Sequence, residues 1–335
     1  VRTFSRLITR DQGDVIMGLS SSENAEAAAT VASASGTLFI NCQARSYKVT
    51  WGSAEDPTPL PFVFKSNDSV ITHAGGSARA VVQLYPNATR IAHCHPNYSW
   101  GRENYDIFNA AMAKLNPKAT IVAEAWPSLF APDYSPFINQ LLRARPDVIF
   151  SSLWGGDTTR FLDQAERFGL TRIPIVAYWE FYHVEGRQVP RGVPVVAGSA
   201  SWLVPSAETW ELQRQFIDAF YARYKTYPTV GAFDAAGAFY AYKAAVEKAL
   251  ALYAAWPTTE QTAAVLKGLS VATPGGYYVF REDQRAVHTV VGGITADFED
   301  PRAPYGLNPR IILPAESVEP PSGMDPFRWI ESWKA

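Results

Sequence analysis

Residues 148–170, VIFSSLWGGDTTRFLDQAERFGL, decide the fold class. The stretch opens as a continuous apolar run and passes through Trp154 into Gly155-Gly156. From Asp157 it continues with Phe161, Leu162, Ala165 and Phe168 at helical spacing and ends at Gly169. A short run that is apolar throughout, followed by an amphipathic segment, marks a strand of a parallel sheet covered by helices on both faces. Asp157 is the expected N-cap and Gly169 the expected stop. A core would keep the indole and dispense with the glycines, and a linker would do the reverse. A tryptophan beside two glycines at a strand end suits a wall against which a ligand lies.

The same alternation runs through most of the chain. Residues 2–11 read as a helix and 13–19 as a short apolar strand. SSSENAEAAATVASASG (20–36) reads as a helix with a capping box, Ser20 followed three residues later by Glu23, and with Gly36 at its end. Further strands are expected at 37–41, 89–95, 119–126, 173–180 and 193–202. Helices are expected at 66–86, 101–117 and 133–146, the last with Ser135 as N-cap and Pro136 at the first helical position. Longer helices follow at about 207–224, 232–253 and 258–268, then a β-rich stretch at 276–298, and the Pro-rich final 35 residues read as irregular. Ligands of open α/β sheets lie at the carboxyl ends of the strands. The residues of interest are therefore Ser20–Ser22, Gln43–Ser46, Tyr98–Gly101, Trp154–Asp157 and Tyr178–Phe181.

A length of 335 residues suits two domains of roughly 150 residues each. The apolar share of 47% and charged share of 19% are those of a globular protein. A net charge of −2 without long charge runs leaves no footprint for nucleic acid. No apolar run reaches the ~18–20 residues of a membrane span, and VRTFSRLITRDQGDVIM lacks the apolar region of a signal peptide. Cys42 and Cys94 sit in separate β-like runs and are expected as free thiols. His93 and His95 alternate with Cys94, so they share a strand face and the thiol takes the other, which disfavours a common metal site. The G-x-S-x-G elbow, the phosphate-cradling glycine loop and H-E-x-x-H are all missing, so neither catalysis nor a cofactor is expected. GGSAR at 75–79 falls inside a helix and reads as a packing or flexibility feature.

The span from Arg90 to Leu170 combines an aromatic-Gly turn at Trp100-Gly101, the unit DYSPFINQLLRARPDVIF and the strand-end aromatic of LWGGD. In that order and spacing it resembles the Leu/Ile/Val-binding-protein family, the type I periplasmic solute-binding components of ABC importers. The serines at 20–22 and Trp179-Glu180 extend the likeness, which runs from about residue 10 to about residue 300. The resemblance implies an α/β fold of two Rossmann-like lobes with mostly parallel sheets, joined by crossovers and closing on a ligand. It sets lobe I at 1–88 and 205–285 and lobe II at 89–204 and 286–335, with Cys42 and Cys94 in different lobes. Family members begin with a further strand, ligand-facing loop and helix, so lobe I's first βα unit is expected to be absent from this sequence.

The resemblance also supplies candidate ligand-binding residues. In the family, the serine after lobe I's strand and the next helix start hold a ligand carboxylate; here that serine is Ser20, with Ser21 and Ser22 beside it. Hydroxyls and free N–H groups at a helix start suit an anion, although Ser20 and Ser22 serve equally as caps. The loop Gln43-Ala44-Arg45-Ser46 matches one that donates backbone and hydroxyl groups. Arg45 departs from the usual small residue and either grips a carboxylate bidentately or points to solvent. Lobe II contributes Trp100, Trp154 and Glu180, at positions of two aromatics and of a carboxylate that receives an amino acid's ammonium. Core packing is the alternative for the two indoles and a plain surface carboxylate for Glu180. Tyr178, Trp179 and Trp202 are further candidates, and Phe233 and Asp234 are placed on the hinge side.

The implied protein is a monomeric, non-enzymatic, extracytoplasmic solute binder, periplasmic or lipid-anchored, whose closed form is read by a membrane permease. Its solute is a small carboxylate, either an apolar amino acid or an aromatic acid. The aromatic acid is suggested by Arg45 and by 10 Trp, 16 Tyr and 18 Phe. A ligand-sensing receptor or regulator on the same fold is the alternative.

Overall fold

This computed structural model describes residues 2–52, 56, 58–177, 179, 186–197, 210–287, 289–298 and 300–334. The chain divides into two compact units. The first is Val1–Ser69, Gly198–Thr289 and Pro314–Asp325; the second is Val70–Ala197, Val290–Leu313 and Pro326–Ala335.

In the first unit, β1 (Val15–Gly18), β2 (Leu38–Asn41) and β3 (Val63–Lys65) form a parallel sheet in that order. Val15 pairs with Leu38, and Phe39 with Val63. Alternation along the strands splits their side chains between two cores. Ile16, Phe39 and Val63 meet Phe4 of α1 (Arg2–Thr9) and the alanines 25, 28, 29 and 32 of α2 (Ser22–Ser35). On the other face, Leu38, Ile40 and Phe64 meet Ala238, Ala241, Ala245 and Ala249 of α8 (Val230–Tyr253). Small residues along the sheet-facing stripe of each helix let its axis approach the sheet closely. The unit also holds an antiparallel sheet of β9 (Ser270–Thr273), β10 (Gly276–Phe280) and β11 (Ala286–Val287). Tyr278 of β10 is fully buried, and a Cβ at Gly237 of α8 would overlap its ring.

In the second unit, β4 (Arg90–Cys94), β5 (Thr120–Ala125), β6 (Val148–Ser151) and β7 (Ile175–Val176) form a parallel sheet in the order β5-β4-β6-β7. The central strand β6 is buried along its whole length. This is the strand of the opening stretch, and α6 (Gly156–Arg167) follows it. Phe161, Leu162 and Ala165 are buried as expected, whereas Phe168 lies at the helix end and is 44% exposed. α3 (Gly76–Leu84), α4 (Ser99–Leu115) and α5 (Ser135–Ala144) complete the helical layers. The cap of α5 is Tyr134, so Ser135 already lies inside the helix and donates to Asp133 instead.

Four sequence expectations differ from the structure. Residues 66–86 are not one helix: a π-helical turn at Ile71–Gly75 leads into α3. That segment packs on α4 and belongs to the second unit, whereas the sequence puts residues up to 88 in lobe I. The final residues are not mostly irregular, since β13 (Gly306–Leu313) pairs antiparallel with β12 (Val290–Ala296), which pairs with β8 (Pro194–Ala197). Pro309 breaks the strand pattern in the sequence; in the sheet it lies opposite a register shift between Gly293 and Thr295, where a missing donor is tolerated. Strands β3 and β9 lie where the sequence marks no strand.

GGSAR proves to be a packing site. A Cβ on Gly75 would stand 3.3 Å from the Trp333 ring, and the Arg79 guanidinium lies 3.8 Å from a Trp333 ring centroid. Both cysteines are free and buried, and burial pushes the Cys42 thiol up to about 12 and raises that of Cys94 as well. Gly237→Ala is expected to destabilise the protein by about 1–3 kcal/mol, read as a lower urea midpoint with an unchanged slope.

Candidate functional site

Ser20–Ser22, Ala44, Arg45, Trp100 and Trp154 follow the carboxyl ends of strands in the two parallel sheets. In the first unit, β1 ends in Gly18 at φ 133° and Leu19 at φ 66°, and the chain then enters α2. The N-cap of α2 is Ser21, not Ser20, and its side chain makes no capping bond. The expected box with Glu23 is therefore not formed. Ser20 is exposed, Ser21 half-buried and Ser22 buried. The first turn of a helix has N–H groups without intrahelical acceptors. The start of α2 thus joins unsatisfied donors to three serine hydroxyls.

The loop after β2 is held tightly. Ala44 N–H donates to the Leu19 carbonyl at 2.8 Å and to Asn41 Oδ1 at 3.1 Å. The Ala44 carbonyl accepts from Asn41 Nδ2 at 2.6 Å and from Asn67 Nδ2 at 3.3 Å. Its N–H and carbonyl are therefore both engaged inside the unit. Ser46 Oγ accepts from Lys48 N–H, capping the short turn Tyr47–Thr50.

Arg45 turns inward instead of pointing to solvent. Its guanidinium pairs with Asp68 and lies 3.2 Å from Asp234 Oδ2. Both aspartate side chains are fully buried, and a buried carboxylate needs a cation. Lys65 is buried beside them, its Nζ donating to Asn67 Oδ1 at 3.0 Å, to the Asn67 carbonyl and to the Asp68 carbonyl. Burial, followed by the nearby Arg45 charge, holds the Lys65 ammonium well below its ordinary range. Phe233 is core rather than wall, fully buried with its ring centroid 4.9 Å from that of Phe216.

In the second unit, Trp100 enters α4 at its first turn and is 5% exposed. Its Nε1 donates to the Ser152 carbonyl at 2.8 Å, and its ring stacks on His73. A Cβ at the following Gly101 would collide with the Pro96 carbonyl, which explains the glycine after the aromatic. Trp154 is half-buried, with Nε1 donating to the Tyr98 hydroxyl at 2.9 Å. Gly155, at φ 57°, makes the turn into α6. Asp157, expected as the N-cap, lies inside the helix and accepts from Phe130 N–H at 2.8 Å. Trp179 is core, its Nε1 donating to the Ile175 carbonyl. Tyr178, Glu180 and Trp202 lie outside the described residues.

His93 and His95 share a face, as alternation requires, and make a chain that the sequence did not indicate. His93 Nδ1 lies 2.9 Å from His95 Nε2, and His95 Nδ1 lies 2.7 Å from Ser152 Oγ and 3.2 Å from Ser152 N. Because the Ser152 N–H can only donate, His95 Nδ1 accepts and its proton sits on Nε2, pointing at His93. Burial pushes His93 down to about 3, and burial and then the neighbouring His93 and His73 hold His95 well below its ordinary value. Among the described residues, no group of three or more His, Cys, Asp and Glu side chains is arranged to hold a metal ion. Nor is any described helix long and apolar enough to cross a membrane.

With this geometry in hand, comparison identifies the chain's family. The pattern of the periplasmic binding protein family matches residues 1–292, and the chain belongs to that family, one of binders rather than catalysts. No curated protein matches it by sequence. An ABC-transporter solute-binding protein from Rhodopseudomonas palustris BisB5, solved with 3,4-dihydroxybenzoic acid, superposes with a TM-score of 0.81 at 18% identity, over 96% of this chain and 84% of the other. A second R. palustris solute-binding protein, solved with benzoate, gives 0.77 at 18% identity over 96% and 84%. A leucine-binding protein from Thermotoga maritima gives 0.70 at 17% over 88% and 79%. These likenesses establish the type I periplasmic-binding-protein fold.

The buried histidines make stability depend on pH. Unfolded rings bind a proton below about pH 6.5, whereas folded His93 does so only near 3. The unfolded state therefore holds more protons in that window, and acid favours it. Stability is expected to fall by roughly 1 kcal/mol per pH unit per ring below pH 6.5. Urea titrations at successive pH values should give a shallower fall for His93→Gln.

Proposed function

We propose that the protein is the solute-binding component of an ABC importer, working outside the cytoplasmic membrane, and that its solute is a small organic carboxylate. The observation that carries this reading is the start of α2, where Ser21 leaves the first-turn N–H groups uncapped. Ser20, Ser21 and Ser22 add hydroxyl donors to the same turn, a combination that suits a carboxylate. Arg45 already pairs with Asp68 and Asp234, which supports a reading in which neutral donors hold the charge.

Trp154, just past the end of β6, has a ring face that suits an aromatic acid or an apolar side chain. Proteins of the same fold solved with benzoate and 3,4-dihydroxybenzoate support an aromatic carboxylate, and the leucine-binding relative supports an apolar amino acid. Glu180 separates the two: an amino acid needs a carboxylate for its ammonium, and a benzoate does not. A permease reads the liganded form, as solute binders of importers require.

Thermal denaturation with benzoate, 4-hydroxybenzoate and leucine tests the reading. A true solute at ~100 times its dissociation constant should stabilise by about 2.7 kcal/mol. No shift with any of these or related carboxylates would remove it. Trp154→Ala should weaken the solute about 10- to 100-fold through lost ring contact. Glu180→Gln should abolish binding of an amino acid and leave a benzoate untouched, as measured by calorimetry.

A further inference from the structure

We infer that Lys65, Asn67 and Asn41 are positioning residues for the serine turn after β1, acting through one chain of hydrogen bonds that ends on Leu19. The inference rests on the carboxylate-binding role proposed for Ser20–Ser22 and adds what holds them there.

The starting point is Leu19. A leucine at φ 66° is in the left-handed region, which residues with a Cβ rarely adopt and which a leucine side chain does nothing to stabilise. Such a conformation persists only where its surroundings enforce it. Two contacts do so. The side chain packs half-buried against the core under α2, and the carbonyl accepts the Ala44 N–H at 2.8 Å.

Ala44 is itself fixed from two directions. Asn41, the last residue of β2, holds both its N–H and its carbonyl, and Asn67 holds the carbonyl as well. The Asn67 amide is oriented by Lys65, the last residue of β3, whose Nζ donates to Oδ1 and so leaves Nδ2 for Ala44. A flipped amide would set its oxygen against the Ala44 carbonyl, two acceptors 3.3 Å apart. Asn41, Ala44, Lys65 and Asn67 are all at most 1% exposed. The chain thus runs from the end of β3, through the loop after β2, to the end of β1, and each donor has a specified acceptor. An apolar filling would pack equally well there. What hydrogen bonds add is direction, because they fix the orientation of a backbone carbonyl immediately before Ser20.

Arg45, Asp68 and Asp234 stand beside this chain and keep Lys65 in a buried charged setting. They anchor the two loops from which Ala44 and Asn67 come. Rotation of Leu19 out of the left-handed region would swing Ser20–Ser22 and the first turn of α2 as one body. The arrangement is the kind of preorganised support that lets neutral donors hold an anion without reorganising.

The test separates backbone conformation from packing. Leu19→Asn loses apolar contact but keeps a residue at home in the left-handed region; Leu19→Val keeps apolar contact but opposes that conformation. Affinity for benzoate and for leucine is measured by calorimetry in the full chain, beside the urea midpoint. Positioning predicts that Leu19→Asn binds within about twofold of the parent although its midpoint falls, while Leu19→Val binds about tenfold more weakly. Asn67→Leu should also bind about tenfold more weakly and show faster amide exchange at residues 20–23. Parental affinity in Leu19→Val, or affinities that follow the midpoints, would overturn the inference. If the parent binds neither probe, the carboxylate reading fails and exchange alone decides: unchanged rates at 20–23 in Asn67→Leu overturn the positioning chain, and faster rates uphold it.

Discussion

A parallel strand buried on both faces leaves only its ends for polar chemistry, and this constraint organises both units. β2 and β6 are buried at every position, and helices rich in small residues cover the sheet of the first unit. Functional groups are therefore confined to the few residues between each strand and the helix after it. Those residues leave the sheet through turns in which a particular polar contact adds to whatever packing the core supplies: Ala44 on Leu19, Tyr98 on Trp154, Asp157 on Phe130.

Much of this arrangement was legible in the sequence. The central strands and long helices announce themselves by unbroken apolar runs and by stripes such as Ala25, Ala28, Ala29 and Ala32. Glycines mark the turns, with Gly36 and Gly155 at positive φ where expected. Identifying strand ends was enough to bring Ser20–Ser22 and Trp154 into view. The fate of individual polar side chains was not readable. Arg45 looks free in the sequence because its partners lie 23 and 189 positions away, at Asp68 and Asp234. Asn41, Lys65 and Asn67 carry no period and no motif, and only three strand ends brought side by side reveal what they share. Trp100 and Phe233 show the complementary limit, since an aromatic beside a strand end or at a helix start can turn inward.

The two units solve the problem of buried polarity differently. The first buries full charges, with Arg45 between Asp68 and Asp234, and Asp283 taking both Arg281 and Arg285. The second buries neutral rings, His93 and His95, aligned by Ser152. A charged cluster is unforgiving of lost partners, because removing one member leaves an opposite charge stranded. A neutral chain is unforgiving of protons instead. The two units thus answer the loss of a partner and the gain of a proton in different ways, although both are built on the same strand-and-helix plan.

In the role proposed for Trp154, its bond to Tyr98 limits what the indole can recognise. An indole offers a neighbour two things, a single N–H donor and a polarisable face. With Nε1 donating to the Tyr98 hydroxyl, only the face remains, and a face reads flatness, polarisability and size but no pattern of donors and acceptors. Compounds that differ only in where a hydroxyl or amine is attached would look alike to it. Fine discrimination among such solutes must come from other groups, so exchange of those groups alone could redirect the protein to a new solute while Trp154 stayed in place.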